Sequence, residues 1–166
     1  MTDDKALLLR KATIQDVAEL TSLINRDGSI LPRSQHYVFE NLRDFTVVQE
    51  NGRIIGCGSL HILWEDIGEL RSVTFADPEL ARNGVFGELI DRLLDEGRQL
   101  GVKQVLALTY NPEPYLKRGF REVERTQVQR LVWNECINCV HFPDCTETPV
   151  ILDLDQRGKD IQGGNS

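Results

Sequence analysis

The fold is decided by one stretch, residues 68–101, which reads GELRSVTFADPELARNGVFGELIDRLLDEGRQLG. Residues 68–76 are rich in β-branched and aromatic side chains and predict a strand, which Asp77 and Pro78 end. Residues 84–100 predict an amphipathic helix closed by Gly101. Five aliphatic side chains mark its apolar face at helical spacing: Leu89, Ile90, Leu93, Leu94 and Leu100. This order of strand, glycine-bearing turn and helix places backbone N–H groups at a helix N-terminus.

The turn before this helix is a candidate site for a phosphate group. The unpaired donors of a helix N-terminus, together with the helix dipole, favour a bound anion. Gly84 and Gly87 let a ligand approach the backbone closely, and Arg82 adds a cation. The candidate diphosphate-binding residues are Arg82, Asn83, Gly84, Val85, Phe86 and Gly87. A glycine turn is also common as plain punctuation before a helix, so the prediction depends on support from the rest of the chain.

The rest of the chain predicts a mixed α/β fold. Thr13 and Asp16 have the spacing of a capping box at the start of a helix, and Ser34 can cap a second, short helix. Asn51-Gly52 predicts a tight hairpin between two antiparallel strands. The hairpin strands are predicted at residues 45–49 and 53–63, further strands at 7–10, 105–108 and 150–154, and a further short helix at 112–118.

Composition and charge limit the kinds of protein this chain can be. Its 166 residues are 40% hydrophobic, which suits a single domain over residues 1–154 followed by a polar, disordered tail over 155–166. A net charge of -7 argues against general binding to nucleic acid or to anionic membranes. The polar, acidic start and the absence of long apolar runs predict a cytoplasmic protein with no membrane partner.

A second motif, Asn111-x-x-x-Tyr115-x-x-x-Gly119-Phe120, completes a resemblance to the GNAT family of N-acetyltransferases. The resemblance runs over about residues 8–154. It implies an α/β (α+β) GNAT fold, in which about four helices flank a mixed, mostly antiparallel sheet of about seven strands. It also implies an enzyme that uses acetyl-CoA as cosubstrate and requires no metal. The chain departs from the family's phosphate-loop pattern at Ala81 and Phe86, although the backbone amides that would hold the diphosphate remain in place.

Three further stretches resemble the acetyltransferase domain of N-acetylglutamate synthases, above all the short form without a kinase domain. They read GSILPRS at 28–34, DFTVVQ at 44–49 and IGCGSLHILW at 55–64. The resemblance implies transfer of the acetyl group to the α-amine of L-glutamate in a ternary complex, at the entry to arginine biosynthesis. Three alternatives stay open: another small-molecule amine or a protein N-terminus as the acceptor, a non-catalytic acyl-CoA-binding regulator, and a cysteine-cluster metal or interaction module. A homodimer also stays open.

Arginine is the residue expected to hold the two carboxylates of glutamate, because its guanidinium group binds carboxylates in a bidentate manner. By resemblance Arg33 is the leading candidate, and the backbone at Cys57 borders the substrate. Arg71, Arg43 and Arg118 are alternatives, each of which can equally be a solvated surface charge.

The chemistry needs a group that takes the proton of the ammonium and one that protonates the departing thiolate. By resemblance Glu69 is the proton acceptor and Tyr115 the proton donor. Strand alternation puts Arg71 on the same face as Glu69, so a surface ion pair is the competing interpretation. The competing interpretation of Tyr115 is ordinary aromatic packing. Asn111 is a candidate ligand of the pantetheine arm, and its competing interpretation is a residue that starts a turn. The remaining pantetheine and carbonyl ligands would be backbone amides of Ser72, Val73 and Thr74.

The cysteines allow other interpretations. Four potential soft ligands lie close together: Cys136, Cys139, His141 and Cys145. They could hold zinc, but their spacing is tighter than in common zinc modules, and unligated thiols are the favoured interpretation. Cys57 could serve as an acyl-accepting nucleophile, but a small core residue is the better prediction.

Overall fold

The computed structural model describes residues 7–139 and 145–154. Its strands are β1 (Leu7–Lys11), β2 (Phe45–Glu50), β3 (Arg53–Ile62), β4 (Ile67–Phe75), β5 (Gln104–Thr109), β6 (Arg121–Glu122) and β7 (Thr148–Asp153). Its α-helices are α1 (Val17–Arg26), α2 (Gln35–Glu40), α3 (Pro78–Arg82), α4 (Val85–Leu100), α5 (Glu113–Leu116), α6 (Arg125–Val128) and α7 (Trp133–Cys136). Short 3-10 turns lie at Ile14–Asp16 and Leu42–Asp44.

The strands form a seven-stranded sheet in the order β1-β2-β3-β4-β5-β7-β6. β4 and β5 pair in parallel, whereas β1–β2, β2–β3, β5–β7 and β6–β7 pair antiparallel. The parallel ladder ends at Leu70 and Ala107, although β4 continues to Phe75 and β5 to Thr109. This mixed, mostly antiparallel sheet confirms the predicted fold class.

The first of two compact units comprises residues up to His61 together with Arg71–Leu93. Its core is built where the apolar face of α1 packs on the strands, with Leu20 and Ile24 fully buried. Asp16 fastens the start of α1 to β1, because its carboxylate accepts two hydrogen bonds from Arg10, at 2.7 and 2.9 Å. These bonds and those from Thr13 lower the pKa of Asp16 to about 2.

The second unit comprises Ile62–Leu70 and the chain from Leu94 onward. One of its apolar clusters joins β4, β5 and β7 to the short helices α6 and α7. Its buried members are Ile67, Leu106, Val128, Val132 and Ile151. The prediction of a single domain ending at residue 154 stays a prediction, and the predicted tail lies outside the described residues.

The structure corrects the sequence predictions where elements are short. A helix, α3, replaces the first part of the predicted turn, because Asp77 caps it through the Glu79 N–H and Pro78 fits its first position. The predicted cysteine loop contains α6 and α7, and β6 was not predicted. The described residues therefore hold more than the four helices expected, and those beyond α1 and α4 have six residues or fewer. In this part of the chain, no helix has the length and apolar character needed to cross a bilayer.

Candidate active site

The structure reduces the residues that can bind the diphosphate through backbone N–H groups to those at the start of α4. Asn83 ends α3, and its N–H donates to the Glu79 carbonyl at 3.2 Å, so its amide is already used. The Arg82 guanidinium is exposed and pairs with the Glu79 carboxylate at 3.2 Å. Gly84 has a φ of +86° and accepts the hydrogen bond of Glu88 at 3.1 Å. The amides of residues 84–87 therefore occupy the first turn of α4, whose N–H groups have no carbonyl four residues earlier in the helix.

Phe86, which departs from the family's loop pattern, has a packing role in the first unit. Its ring contacts that of Phe75 at the end of β4, with 6.5 Å between centroids and a tilt of 56°. Phe75 in turn fills the space beside Gly56, where an added Cβ would lie 2.6 Å from the Phe75 ring. The Phe86 side chain thus links the start of α4 to the sheet, while its backbone remains in the first turn of the helix.

β4 has an irregular backbone at the residues expected to hold pantetheine. Ser72 is not a glycine and yet has a φ of +55°, a conformation that L-residues rarely adopt. Its Oγ is buried and has no hydrogen-bond partner among the described residues. A strained, incompletely satisfied residue of this kind is common at functional sites. The hydroxyl of Thr74, two residues on, donates to the Asp27 carboxylate at 2.7 Å.

Cys57 is a core residue, as predicted. It has no exposed surface, and its thiol donates to the carbonyl of Ser72 at 3.3 Å. Burial raises the pKa of the Cys57 thiol, which keeps the group protonated near neutral pH. A protonated thiol is a poor nucleophile, so the structure argues against a covalent acyl intermediate on Cys57.

The loop that carries Arg33 is anchored at both ends. Asn25 on α1 forms two hydrogen bonds to the backbone of Arg33: its Oδ1 accepts from the N–H and its Nδ2 donates to the carbonyl, both at 2.8 Å. Asp27 accepts from the backbone and hydroxyl of Ser29 as well as from Thr74. Burial opposes the charge on Asp27, but these hydrogen bonds outweigh it and lower the pKa of the carboxyl.

Tyr37 brings two of the candidate arginines together. The guanidinium carbon of Arg33 lies 4.0 Å from the centroid of the Tyr37 ring, in cation-π geometry. The Arg71 guanidinium donates to the Tyr37 hydroxyl at 3.4 Å. Tyr37 was not among the residues predicted from the sequence, because its contacts with Arg33 and Arg71 arise only in the folded chain. Of the weaker candidates, Arg43 is exposed and Arg118 is half-buried.

Glu69 and Tyr115, the predicted proton acceptor and donor, are both buried in the second unit. Glu69 is 5% exposed and Arg71, two residues on in β4, is 9% exposed, so neither is a solvated surface charge. The role of Glu69 as proton acceptor stays a prediction. The Tyr115 ring packs edge-on against Phe120, with 5.4 Å between centroids. Burial first, and then the negative charge of Glu147, raise the pKa of the Tyr115 phenol. The phenol is therefore protonated near neutral pH, as a proton donor must be.

Asn111 lies in a turn whose backbone is held by Thr109. The Thr109 hydroxyl accepts from the Asn111 N–H at 3.0 Å and donates to its carbonyl at 3.2 Å. The turn that was the competing interpretation is therefore present, and the pantetheine contact of Asn111 stays a prediction.

Glu147 is a titratable residue that the sequence analysis missed. It is half-buried, immediately before β7. Burial and the negative charge of Glu69 raise its pKa to about 7, against an opposing effect of Arg125. Carboxyls whose pKa is raised by burial and by a neighbouring negative charge are common at functional sites. Nothing in the spacing of Glu147 along the chain indicates this, because the shift arises from tertiary neighbours.

The cysteine cluster is only partly described, because His141 lies outside the described residues. Cys136, Cys139 and Cys145 are free thiols. Within residues 7–139 and 145–154, no three His, Cys, Asp or Glu side chains are grouped so as to hold a metal ion. Burial, and to a lesser extent the negative charges of the two other thiols and Glu69, raise the pKa of the Cys136 thiol.

The comparisons with known proteins agree with one another. The family model described as "Acetyltransferase (GNAT) family" matches residues 15–120. An amino-acid acetyltransferase of Mycobacterium tuberculosis is 32% identical over 133 residues, which are 77% of this chain and 76% of that protein.

Solved structures give the same result. The crystal structure of Rv2747 from Mycobacterium tuberculosis in complex with CoA and NLQ superposes with a TM-score of 0.73, at 26% identity over 88% of this chain and 98% of that one. N-acetylglutamate synthase from Neisseria gonorrhoeae, complexed with coenzyme A and N-acetyl-glutamate, superposes with a TM-score of 0.76 over 92% of this chain. At 21% identity this second likeness shows the fold alone, and the chain spans 36% of that protein.

The family assignment agrees with the mixed sheet and with the helix that starts after a glycine of positive φ. The family match itself covers residues 15–120. The chain belongs to the acetyltransferase (GNAT) family and is an N-acetyltransferase.

Proposed function

We propose that this N-acetyltransferase transfers the acetyl group of acetyl-CoA to the α-amine of L-glutamate. The transfer is direct and takes place in a ternary complex, since the protonated, buried Cys57 is unsuited to hold an acyl group. The proposal also places the reaction in the cytoplasm, at the entry to arginine biosynthesis.

The observation that carries the choice of substrate is the arrangement of Arg33, Tyr37 and Arg71. Two guanidinium groups contact the same tyrosine, one over its ring and one at its hydroxyl. The backbone clamp from Asn25 fixes the position of Arg33, which reduces the entropy lost when a ligand binds. Two cations held in this way match an amino acid with two carboxylates better than one with a single carboxylate.

Acetyl-CoA would bind through its diphosphate at the first turn of α4. That turn offers the N–H groups of residues 84–87, and the helix dipole adds to their attraction for an anion. The kinked backbone of β4 at Ser72 would pair with the pantetheine arm and polarise the thioester carbonyl. Support comes from the relative solved in complex with CoA at 26% identity.

In the reaction that follows, the ammonium of glutamate gives a proton to Glu69. The free amine attacks the thioester carbonyl, so a C–N bond forms, and the C–S bond breaks when the tetrahedral intermediate collapses. Tyr115 then protonates the departing thiolate, the amide nitrogen gives its second proton to the resulting phenolate, and Glu69 releases the first proton to water. The burial of Glu69 and the protonated state of Tyr115 support these roles.

The proposal is tested by measuring thiol release from acetyl-CoA with L-glutamate, L-glutamine and L-aspartate as separate acceptors. We expect kcat/KM to be highest for L-glutamate, because L-aspartate has a shorter side chain and L-glutamine lacks the distal negative charge. Faster release with glutamine or with an unrelated amine would overturn glutamate as the substrate. Tight binding of acetyl-CoA with no turnover of any amine would instead indicate a non-catalytic acyl-CoA-binding regulator. Light scattering of the same sample tests whether the chain is a homodimer.

A further inference from the structure

The segment of β4 that carries Arg71 is held in place by side-chain hydrogen bonds from β3. The Ser59 hydroxyl donates to the Arg71 carbonyl at 3.0 Å, and the Cys57 thiol donates to the Ser72 carbonyl at 3.3 Å. The two donors are buried, so water does not compete for these bonds. The backbone of Arg71 is therefore fixed with respect to β3, although the next residue has a positive φ.

Asp27 joins this segment of β4 to the loop that carries Arg33. One carboxylate oxygen, Oδ2, accepts a hydrogen bond from the hydroxyl of Thr74 on β4 at 2.7 Å. The other oxygen, Oδ1, accepts from the N–H of Ser29 at 2.9 Å and from its hydroxyl at 2.6 Å. Hydrogen bonds to a carboxylate are about twice as strong as those between neutral groups. One side chain thus holds both the strand and the start of the loop.

The far end of this loop is fixed to the same end of α1. Asn25, two residues before Asp27, binds the N–H and the carbonyl of Arg33, each at 2.8 Å. The end of α1 therefore provides one side chain for each end of the loop over residues 27–33. Thr74 is 4% exposed, so its bond to Asp27 is also shielded from water.

The connection through Thr74 and Asp27 runs between the two candidate ligands of the substrate carboxylates. The guanidinium groups of Arg33 and Arg71 contact the ring and the hydroxyl of Tyr37. A dicarboxylate binds most tightly when the spacing of its two carboxylates matches the spacing of the two guanidinium groups, because a mismatch weakens one bidentate contact. The spacing of the two arginines is therefore expected to select the length of the amino acid.

We propose that Asp27, through Thr74, is the positioning residue that sets the spacing of Arg33 and Arg71, and with it the length of the dicarboxylic amino acid that the enzyme accepts. The inference rests on the proposed acetylation of L-glutamate. It adds the residue that separates glutamate from its shorter and longer homologues, L-aspartate and L-2-aminoadipate. Asp27 acts through the two arginines and not on the substrate itself.

The ratio of kcat/KM between L-glutamate and each homologue tests the proposal, because a general loss of activity cancels in this ratio. Wild-type protein should prefer L-glutamate by at least about tenfold. Thr74→Val removes the hydroxyl and keeps a branched side chain, and the preference should fall by about fivefold. Thr74→Ser keeps a hydroxyl and should restore the preference. An unchanged preference in Thr74→Val, or equal kcat/KM for the three amino acids in the wild type, would overturn the proposal.

Thr21→Val is the matched control for this substitution. Thr21 lies in the same unit, is also buried, and donates its hydroxyl to the Val17 carbonyl within α1. The preference for L-glutamate should not change in this variant. An equal fall in Thr21→Val and Thr74→Val would show that any buried threonine has this effect, which would also overturn the proposal.

Asp27→Ala shows whether the effect of Thr74 passes through the carboxylate. This variant should reduce the preference for L-glutamate at least as much as Thr74→Val does. Combining the two substitutions should cause no further reduction, because the hydrogen bond is then already lost. Additive reductions would contradict the role of Asp27, since Thr74 would then act independently of it.

Hydrogen exchange gives a second readout that does not depend on turnover. The backbone N–H of Ser29 donates to Asp27, so its exchange rate reports how firmly the loop is held. In Thr74→Val this amide should exchange about fivefold faster than in the wild type and in Thr21→Val. Equal rates in the three proteins would overturn the fixed loop. If wild-type protein acetylates none of the three amino acids, the proposed function fails, and the exchange rates still decide whether Thr74 and Asp27 hold the loop.

Discussion

Tyr37 and Glu147 show how single residues acquire their properties from neighbours that are distant in the sequence. Tyr37 is 34 residues from Arg71, and its hydroxyl nevertheless accepts a hydrogen bond from that guanidinium. Glu147 acquires its unusual titration from burial and from Glu69. Neither property can be inferred from the position of the residue along the chain.

Replacing Arg33 tests the proposed carboxylate site. Arg33→Ala should raise KM for L-glutamate by about tenfold or more, because a charge-assisted, bidentate contact is lost. Binding of acetyl-CoA should not change, because Arg33 lies outside the first turn of α4. Steady-state kinetics with each substrate varied in turn measures both effects. Arg26→Ala, at the exposed end of α1, removes an equal charge and serves as the control. An unaltered KM for glutamate in Arg33→Ala would remove Arg33 from the site.

Replacing Glu147 should change how the free energy of unfolding depends on pH. A carboxyl whose pKa is raised in the folded state costs nothing at low pH, when it is protonated in both states. The cost grows as the pH rises through the unfolded value toward the folded value of about 7, and is then constant. Glu147→Gln should therefore be more stable than the wild type at pH 8 by about 1 kcal/mol, since solvent screens a half-buried group.

Thermal unfolding at several pH values measures this difference. The variant should melt roughly 2–4 °C higher than the wild type at pH 8, and the gap should close near pH 4. A gap that stays constant between pH 4 and pH 8 would contradict the raised pKa. The exposed Glu122→Gln should stay within about 0.5 kcal/mol of the wild type throughout.

At the scale of elements, the start of α4 is held in place by a chain of contacts from the sheet. Gly56 on β3 leaves room for the ring of Phe75 on β4, which packs against Phe86 in the first turn of the helix. The first turn of α4 is thus positioned by two aromatic rings, through side-chain contacts that do not use its backbone N–H groups.

Gly56→Ala tests this chain of contacts. The added Cβ would lie 2.6 and 2.8 Å from two atoms of the Phe75 ring, so the ring must move. Overpacking of this kind costs about 1–3 kcal/mol, which denaturant unfolding would measure. Because Phe75 supports Phe86, binding of CoA should weaken as well. Gly28→Ala is the control, since a Cβ there meets no atom within 4 Å. Equal stability of Gly56→Ala and wild type would show that Phe75 does not constrain this region.

Elements were predictable from the sequence where one signal covers a long segment. The five aliphatic residues of α4 and the Asn51-Gly52 hairpin gave the long helix and the β2–β3 pair within a residue or two. The short helices α3, α6 and α7 were not predicted, because segments of four or five residues are stabilised by caps and tertiary packing more than by their own periodicity. The positive φ of Ser72 had no sequence signal, because residues other than glycine adopt it only when the surrounding structure imposes it.

For the molecule as a whole, the net charge limits which groups can attract the anionic cofactor. A chain of net charge -7 repels a nucleotide overall, and the Arg82 side chain near the proposed turn already pairs with Glu79. Attraction for the diphosphate must then come mainly from oriented backbone N–H groups at the first turn of α4. Main-chain N–H groups are therefore expected to contribute more to holding the diphosphate than side-chain cations.

Calorimetric titration of the wild-type protein with CoA and, separately, with pantetheine tests that claim most directly. Pantetheine keeps the thiol arm and lacks both the diphosphate and the 3′-phosphoadenosine, so a third titration with 4′-phosphopantetheine, which adds one phosphate alone, separates the phosphate contacts from those of the nucleoside. We expect CoA to bind, and pantetheine to bind at least about tenfold more weakly. Equal affinities for the two ligands, or no heat of binding with CoA at millimolar concentration, would contradict the binding of the diphosphate at the start of α4.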